Sequence, residues 1–402
     1  MGYRGDPIHQ PVQQQLPDLG NTQVAFADRS DRELKEAEFL FRILGNPLIS
    51  SLGQKMTLIA LGIGLPVAGL IKRTIFKQFC GGETIDESLR TAERLYRSGI
   101  GSILDYSAEG QETEASFDAS VKEIVRTIST AAKRQEVPFC VFKPSGIGSH
   151  PIWEKKSKGQ PFNASEAKEW QRLEERMKSM CEASYNAGVP ILIDAEESWI
   201  QPAIDELVEQ MMAQYNKQKA IVFNTIQFYR HDRLAFLRSA IQRARAGGYH
   251  LGIKLVRGAY MEKERARAEE MGYPSPIHEN KQRVDDDYNA GLKECLVNID
   301  RMAIVAGSHN EGSTLLLAEL MQRYGLAIDD DRIWFSQLLG MSDNISYNLS
   351  AAGYNVVKYV PYGPVKKVLP YLIRRAAENS SVAGQTGREL KMIRKELLRR
   401  RT

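Results

Sequence analysis

Past residue 100, short apolar runs alternate with longer amphipathic ones, and the alternation repeats eight times along the chain. The short runs cover 101–106, 137–143, 189–194, 220–225, 251–256, 302–306, 332–336 and 355–360. They are apolar at consecutive rather than alternate positions, the mark of strands covered on both faces. Between them, 114–134, 167–185, 200–215 and 233–246 place apolar residues three and four apart, as helices with one buried face do. Strands buried on both sides and separated by helices build a parallel sheet, and eight such units in a row predict a closed (β/α)8, TIM-like barrel of the α/β class. A six-stranded doubly wound sheet is the competitor. It lacks the expected Gly-x-Gly-x-x-Gly after the first strand.

The flanks read differently. Residues 1–30 mix Pro and Gln with small polar residues and are predicted to be disordered. Residues 31–83 predict a helical arm, and the pattern changes at Gly81-Gly82. Within the arm, 58–71 is an apolar run of 14 residues, short for a bilayer span, so a buried or interfacial helix kinked at Pro66 is expected. The barrel is assigned to 84–380. Residues 381–402 predict a basic terminal helix, either solvated or resting on an anionic surface.

In a parallel barrel the active site lies at the carboxyl ends of the strands. That rim is polar in this chain. Lys143 and Asp194 end the second and third strands, and Gln227 follows the fourth. Lys254, Arg257 and Tyr260 lie at the fifth; Ser308, His309 and Asn310 follow the sixth; Gln337 follows the seventh and Tyr359 ends the eighth. Beyond the last strand and a Pro/Gly turn, Tyr371, Arg374, Arg375 and Glu378 fall on adjoining parts of one helical surface. Two adjacent guanidiniums suit a carboxylate or phosphate held between them, and a solvated basic face remains the alternative.

Composition narrows the class. A net charge of +4 from 54 basic and 50 acidic residues gives no argument for nucleic acid. Cys80, Cys140, Cys181 and Cys295 are isolated, with no zinc-like spacing, and fit reduced thiols in a reducing compartment. His309 has no second histidine at a metal-binding spacing, so no metal is expected. No secretory leader is evident, and a cytoplasmic location is expected.

Val141-Phe-Lys-Pro-Ser145, Leu192-Ile-Asp-Ala-Glu-Glu197, Lys254-Leu-Val-Arg-Gly-Ala-Tyr260, Tyr359-Val-Pro-Tyr-Gly-Pro364 and Tyr371-Leu-Ile-Arg-Arg-Ala-Ala-Glu-Asn379 together resemble the proline dehydrogenase (proline oxidase) family, in its single-activity, mitochondrial-type branch. The resemblance spans roughly 80–380. It implies a distorted barrel holding non-covalent FAD, with L-proline oxidised to Δ1-pyrroline-5-carboxylate by hydride transfer from C5 to flavin N5. It also implies Lys143, Arg374 and Arg375 on the substrate carboxylate, and Tyr359, Tyr371 and Leu338 around the ring. Asp194 becomes the counter-charge to Lys143 or Arg375, and Lys254 the cation beside the flavin. Ala195, Gln227, Arg257, Gly258, Ala259, Ser308, His309 and Glu378 become cofactor contacts. Many bacterial members carry Arg where Lys254 stands and Lys where Arg257 stands, which keeps both charges and changes their geometry.

Electrons are expected to pass to a quinone or electron-transfer chain. The product would go to a separate pyrroline-5-carboxylate dehydrogenase, because the chain leaves no room for an aldehyde dehydrogenase domain. The segment 58–70 predicts peripheral membrane contact, on the inner face of the cell membrane or the matrix side of a mitochondrion. A 4-hydroxyproline dehydrogenase, a methylenetetrahydrofolate reductase-like flavin barrel and a non-catalytic barrel scaffold are the alternatives. The resemblance implies that a tyrosine at 359, as proline-selective members carry, crowds carbon four and favours proline over its hydroxylated analogue.

Overall fold

The computed structural model describes residues 15–44, 72–107, 112–365, 367–369, 371–372 and 385–402. Eight parallel strands close into a barrel in sequence order: β1 (Ile100–Tyr106), β2 (Phe139–Phe142), β3 (Ile191–Ile193), β4 (Val222–Gln227), β5 (Leu251–Val256), β6 (Met302–Gly307), β7 (Ile333–Leu338) and β8 (Val356–Tyr362). All eight expected strands are present. Closure is made by β1 and β8, which pair from Ile100↔Val356 to Tyr106↔Tyr362.

Each strand has two buried faces, and parity sorts them. Ile103, Val141, Leu192, Phe223, Val305 and Val357 fill the barrel interior. Their neighbours Leu104, Cys140, Ile191, Ile193, Val222, Ile253 and Val360 face outward, into the layer shared with the helices. This two-sided burial is why the strands read as continuous apolar runs rather than alternating ones.

The principal helices lie before and between these strands. They are α1 (Thr22–Ala25), α2 (Asp31–Leu44), α3 (Ile85–Tyr96), α4 (Glu114–Ala131), α5 (His150–Ser157), α6 (Ala164–Ala187), α7 (Gln201–Tyr215), α8 (Arg233–Gly247), α9 (Met261–Met271), α10 (Lys281–Val297), α11 (Glu311–Arg323) and α12 (Asp343–Ala351). A last one, α13 (Gln385–Arg399), follows. Several starts and stops are written locally. Asn163 caps α6 by accepting from the Ser165 and Glu166 N–H groups, with Glu166 reaching back, and left-handed Gly188 ends the helix.

The prediction of disorder over 1–30 is corrected for 15–30. Asn21 caps α1, Leu19 and Phe26 are buried, and Arg29 pairs with Asp343 at 2.8 Å. Polar composition hid a segment whose apolar residues Leu19, Ala25 and Phe26 are buried. Phe26, Leu34 and Phe41 join Phe79, Val368, Leu372, Ile393 and Leu397 in a second core, built by α2, α13 and the residues around 76–80 against the end of the barrel. Residues 1–14 and the apolar run 58–71 lie outside the described residues. Among the described residues, no helix is long and apolar enough to cross a membrane.

Candidate active site

Inward parity continues past the ends of the apolar runs, and it carries charge to the barrel mouth. On β1 the inward series Ile103 ends in Asp105. The β2 series Phe139 and Val141 leads to Lys143, and on β3 Leu192 leads to Asp194. The β5 series Gly252 leads to Lys254, and on β8 Val357 leads to Tyr359. These five side chains meet. The Lys143 ammonium lies 3.0 Å from Asp105 and 3.2 Å from Asp194. Lys254 donates to Asp194 Oδ1 and, at 2.5 Å, to the Tyr359 hydroxyl. That hydroxyl in turn donates to Asp194 over 3.3 Å. The Lys254 ammonium also lies over the Tyr359 ring, 4.6 Å from its centroid.

The charges that meet at Asp194 act on one another's protonation. Burial alone would push the Asp194 carboxyl up, but Lys254 and Lys143 hold it below its usual range. Burial opposes a charge on Lys143 as well, yet Asp105 and Asp194 raise it well above an ordinary lysine. For Lys254 burial wins over the attraction of Asp194, and its proton is held less tightly than usual. Burial, followed by the Asp194 charge, raises Tyr359 and keeps its hydroxyl protonated.

Arg257 sits one step outward. Its guanidinium reaches Asp285 at 2.6 Å, Ser308 Oγ at 2.8 Å and Ser313 Oγ at 2.8 Å, over the Tyr288 ring. The next residue, Gly258, has φ +130°, and a Cβ there would come within 2.5 Å of the Tyr229 ring. Gln227 is the last residue of β4 rather than a loop residue. Its Nε2 donates to the Glu196 carbonyl at 2.7 Å, and its Oε1 accepts from the Ala259 N–H at 3.4 Å. Ala195 is half-buried beside Asp194. His309 Nδ1 lies 3.0 Å from Ser342 Oγ, and Gln337 donates to the Ser308 carbonyl at 3.1 Å. Leu338 bridges the interior of the barrel and the second core, where Tyr371 is buried. Arg374, Arg375 and Glu378 lie outside the described residues.

Asp105 is the member the sequence analysis passed over. Its signal was available, because it is the inward-facing acidic residue at the carboxyl end of the first strand. Glu196 was missed as well. It is buried, accepts from the Ser145 N–H at 2.6 Å, and is pushed up to about 7 by burial and the neighbouring Glu197 charge. Among the described residues, His150, Glu196 and Glu197 bring ligand atoms within 4.8 Å of one another. The Lys263 ammonium already sits on Glu197, so that group reads as an ion-pair cluster.

Residues 88–388 match the family described as proline dehydrogenase. The chain is 38% identical over 322 residues to the carbapenem antibiotics biosynthesis protein CarD of Pectobacterium carotovorum, covering 80% of this chain and 83% of that one. It is 33% identical over 377 residues to mitochondrial proline dehydrogenase 2 of Arabidopsis thaliana, covering 83% and 79%. To human mitochondrial proline dehydrogenase 1 it is 41% identical over 242 residues, covering 60% and 40%. Among solved structures, proline utilization A of Bdellovibrio bacteriovorus superposes with a TM-score of 0.69 at 20% identity, covering 92% of this chain and 40% of that one, a likeness of fold. Matched along most of its length, the chain belongs to the proline dehydrogenase family and is an oxidoreductase acting on proline.

Proposed function

We propose that the chain oxidises L-proline to Δ1-pyrroline-5-carboxylate with non-covalent FAD, at the mouth of the barrel where Lys143, Asp194, Lys254 and Tyr359 meet. The observation that carries this reading is the sharing of Asp194 between two ammoniums and a tyrosine hydroxyl. The donor set fits the cofactor. A flavin dinucleotide is anionic at its pyrophosphate and gains negative charge on its ring when reduced. The rim offers the buried Lys254 ammonium, the Arg257 guanidinium, the Ser308 hydroxyl, the Gln227 amide, His309 and a glycine at position 258. When bound, FAD supplies the acceptor for the hydride that leaves proline C5.

The chain's own residues do the rest. Lys143, braced by Asp105 and Asp194, keeps a fixed positive charge for the substrate carboxylate, aided by Arg374 and Arg375 in this proposal. Lys254 holds a second cation in a dry site, where it stabilises developing negative charge far better than it could in water. Asp194 prevents the two ammoniums from repelling each other apart. Tyr359, with Leu338 and Tyr371, closes the apolar side of the proline ring, so a 4-hydroxyl group meets crowding. Ala195, Arg257, Gly258, Ala259, Ser308, His309 and Glu378 are assigned to cofactor binding.

A quinone or electron-transfer chain is proposed as electron acceptor, with a separate pyrroline-5-carboxylate dehydrogenase consuming the product. Peripheral contact through 58–70 would place the enzyme on an inner membrane face, the matrix side in a mitochondrion. The deciding experiment is the visible spectrum of purified protein before and after anaerobic L-proline. A yellow protein bleached by L-proline, much less by 4-hydroxyproline and not by NADH, is the expected result. A yellow protein indifferent to L-proline would overturn the substrate, and a colourless one that takes up no FAD would overturn the cofactor.

A further inference from the structure

Ser342 is the one described residue other than glycine with a positive φ (50°, with ψ 45°). It occupies the capping position of α12, where a serine is ordinarily extended and its hydroxyl caps the helix. Here the hydroxyl caps nothing and instead lies 3.0 Å from His309 Nδ1. L-residues avoid this backbone region unless the surroundings hold them there. The holding contact comes from far along the chain. The Ser342 N–H donates over 2.5 Å to Oε1 of Glu389, a buried carboxyl on α13. One residue earlier on the same helix, Arg388 pairs with Glu311, the first residue of α11 after His309 and Asn310. One helix therefore grips both loops on which His309 and its hydroxyl partner stand.

We propose that Glu389 is a positioning residue for the cofactor site. By accepting the Ser342 N–H it keeps Ser342 left-handed, and the Ser342 hydroxyl then fixes the ring orientation and tautomer of His309. The inference rests on the reading that His309 contacts FAD. A merely structural role for Glu389, tying α13 to the barrel, makes a different prediction, because Arg394 docks the same helix through Glu38 at 2.9 Å and touches neither loop.

The test uses full-length Glu389→Ala, Glu389→Gln, Ser342→Gly and Arg394→Ala. It follows the His309 ring nitrogens by NMR, as isolated and after flavin removal, and FAD affinity by fluorescence titration. Glu389→Ala is expected to shift the ring signals and weaken FAD binding about tenfold, the size of one lost hydrogen bond. Glu389→Gln, whose amide oxygen still accepts from Ser342, should restore both. Ser342→Gly should reproduce the altered ring signature, and Arg394→Ala should behave as wild type. A folded Glu389→Ala with unchanged signals and affinity overturns the proposal, as does an Arg394→Ala that matches it. If Glu389→Ala does not fold, Ser342→Gly decides, since glycine takes the left-handed turn without strain; unchanged ring signals there overturn the relay. A wild-type protein that binds no FAD would sink the functional reading, while the flavin-free ring signals would still decide the relay.

Discussion

Asp194 is the residue on which the site turns, because it is the carboxylate shared by Lys143, Lys254 and the Tyr359 hydroxyl. Asp194→Asn removes the charge that opposes their mutual repulsion. Lys143 keeps Asp105, but Lys254 loses the attraction that partly offsets its burial. The expected outcome is a fall in kcat/KM of about a hundredfold or more. The alkaline limb of the pH profile should also move to lower pH, because only the weaker attraction of Asp105 then helps Lys254 keep its proton. Tyr359→Phe separates two roles for one side chain. The ring still crowds the substrate, so discrimination against 4-hydroxyproline should survive. The hydroxyl between Lys254 and Asp194 is lost, so kcat/KM for proline should drop roughly tenfold.

Glu196 supplies a stability signature with a fixed sign. Its carboxyl is raised in the folded chain from 4.5 to about 7 by burial and then by Glu197, so the folded state binds the proton more tightly than the unfolded one. Its favourable contribution is complete below pH 4.5 and is lost as pH rises towards 7. The loss is on the order of 3 kcal/mol. Urea unfolding at pH 5 and pH 7 should show Glu196→Gln losing less stability across that interval than wild type does.

At the scale of elements, strand existence was legible and strand ends were not. The fifth apolar run and β5 share the bounds 251–256. The second and third runs proved shorter than expected, while the fourth, seventh and eighth continue to Gln227, Leu338 and Tyr362. Apolar faces on both sides give a clear interior but no punctuation, so the boundary falls where backbone pairing stops rather than where hydropathy changes. Parity was the unused information. Counting inward positions from Ile103 reaches Asp105 as directly as counting from Val141 reaches Lys143. The loop after β5 was legible for a different reason, because a glycine between two rim residues signals backbone that a side chain cannot follow. Gly258→Ala tests this. At φ +130° and with Tyr229 ring atoms within 2.6 Å of the added methyl, the substitution should cost about 2–4 kcal/mol. Thermal unfolding of the flavin-free protein would measure it without interference from cofactor loss.

The whole molecule is a barrel held at one end by its own flanking segments, and amphipathicity alone could not reveal that. A helix with one apolar face states that it has a partner, not which one. For α2 and α13 the partners are each other and the residues around Phe79, reinforced by Arg400, whose guanidinium donates to the Phe26 and Arg29 carbonyls and to Asp31, each at 2.8 Å. Beneath them lies an ionic cluster that crosses from flank to barrel. Asp343 at the start of α12 pairs at 2.8 Å with Arg29 from the N-terminal segment and at 2.8 Å with the fully buried Lys358 of β8. Burial pushes the Asp343 carboxyl up, and Lys358 and Arg29 more than reverse that. Lys358 also donates to the Met341 carbonyl at 2.9 Å, so it is never left with carboxylate alone. Removing the shared anion should therefore be worse than removing either cation. Asp343→Asn takes the shared counter-charge from Lys358 and Arg29 together and should cost about 3–5 kcal/mol, whereas Arg29→Ala leaves the Asp343–Lys358 pair intact and should cost less. Urea denaturation of both variants orders them. If Arg29→Ala equals Asp343→Asn, the N-terminal segment carries the cluster by itself; if Arg29→Ala is silent, that segment is a covering rather than part of the folded unit.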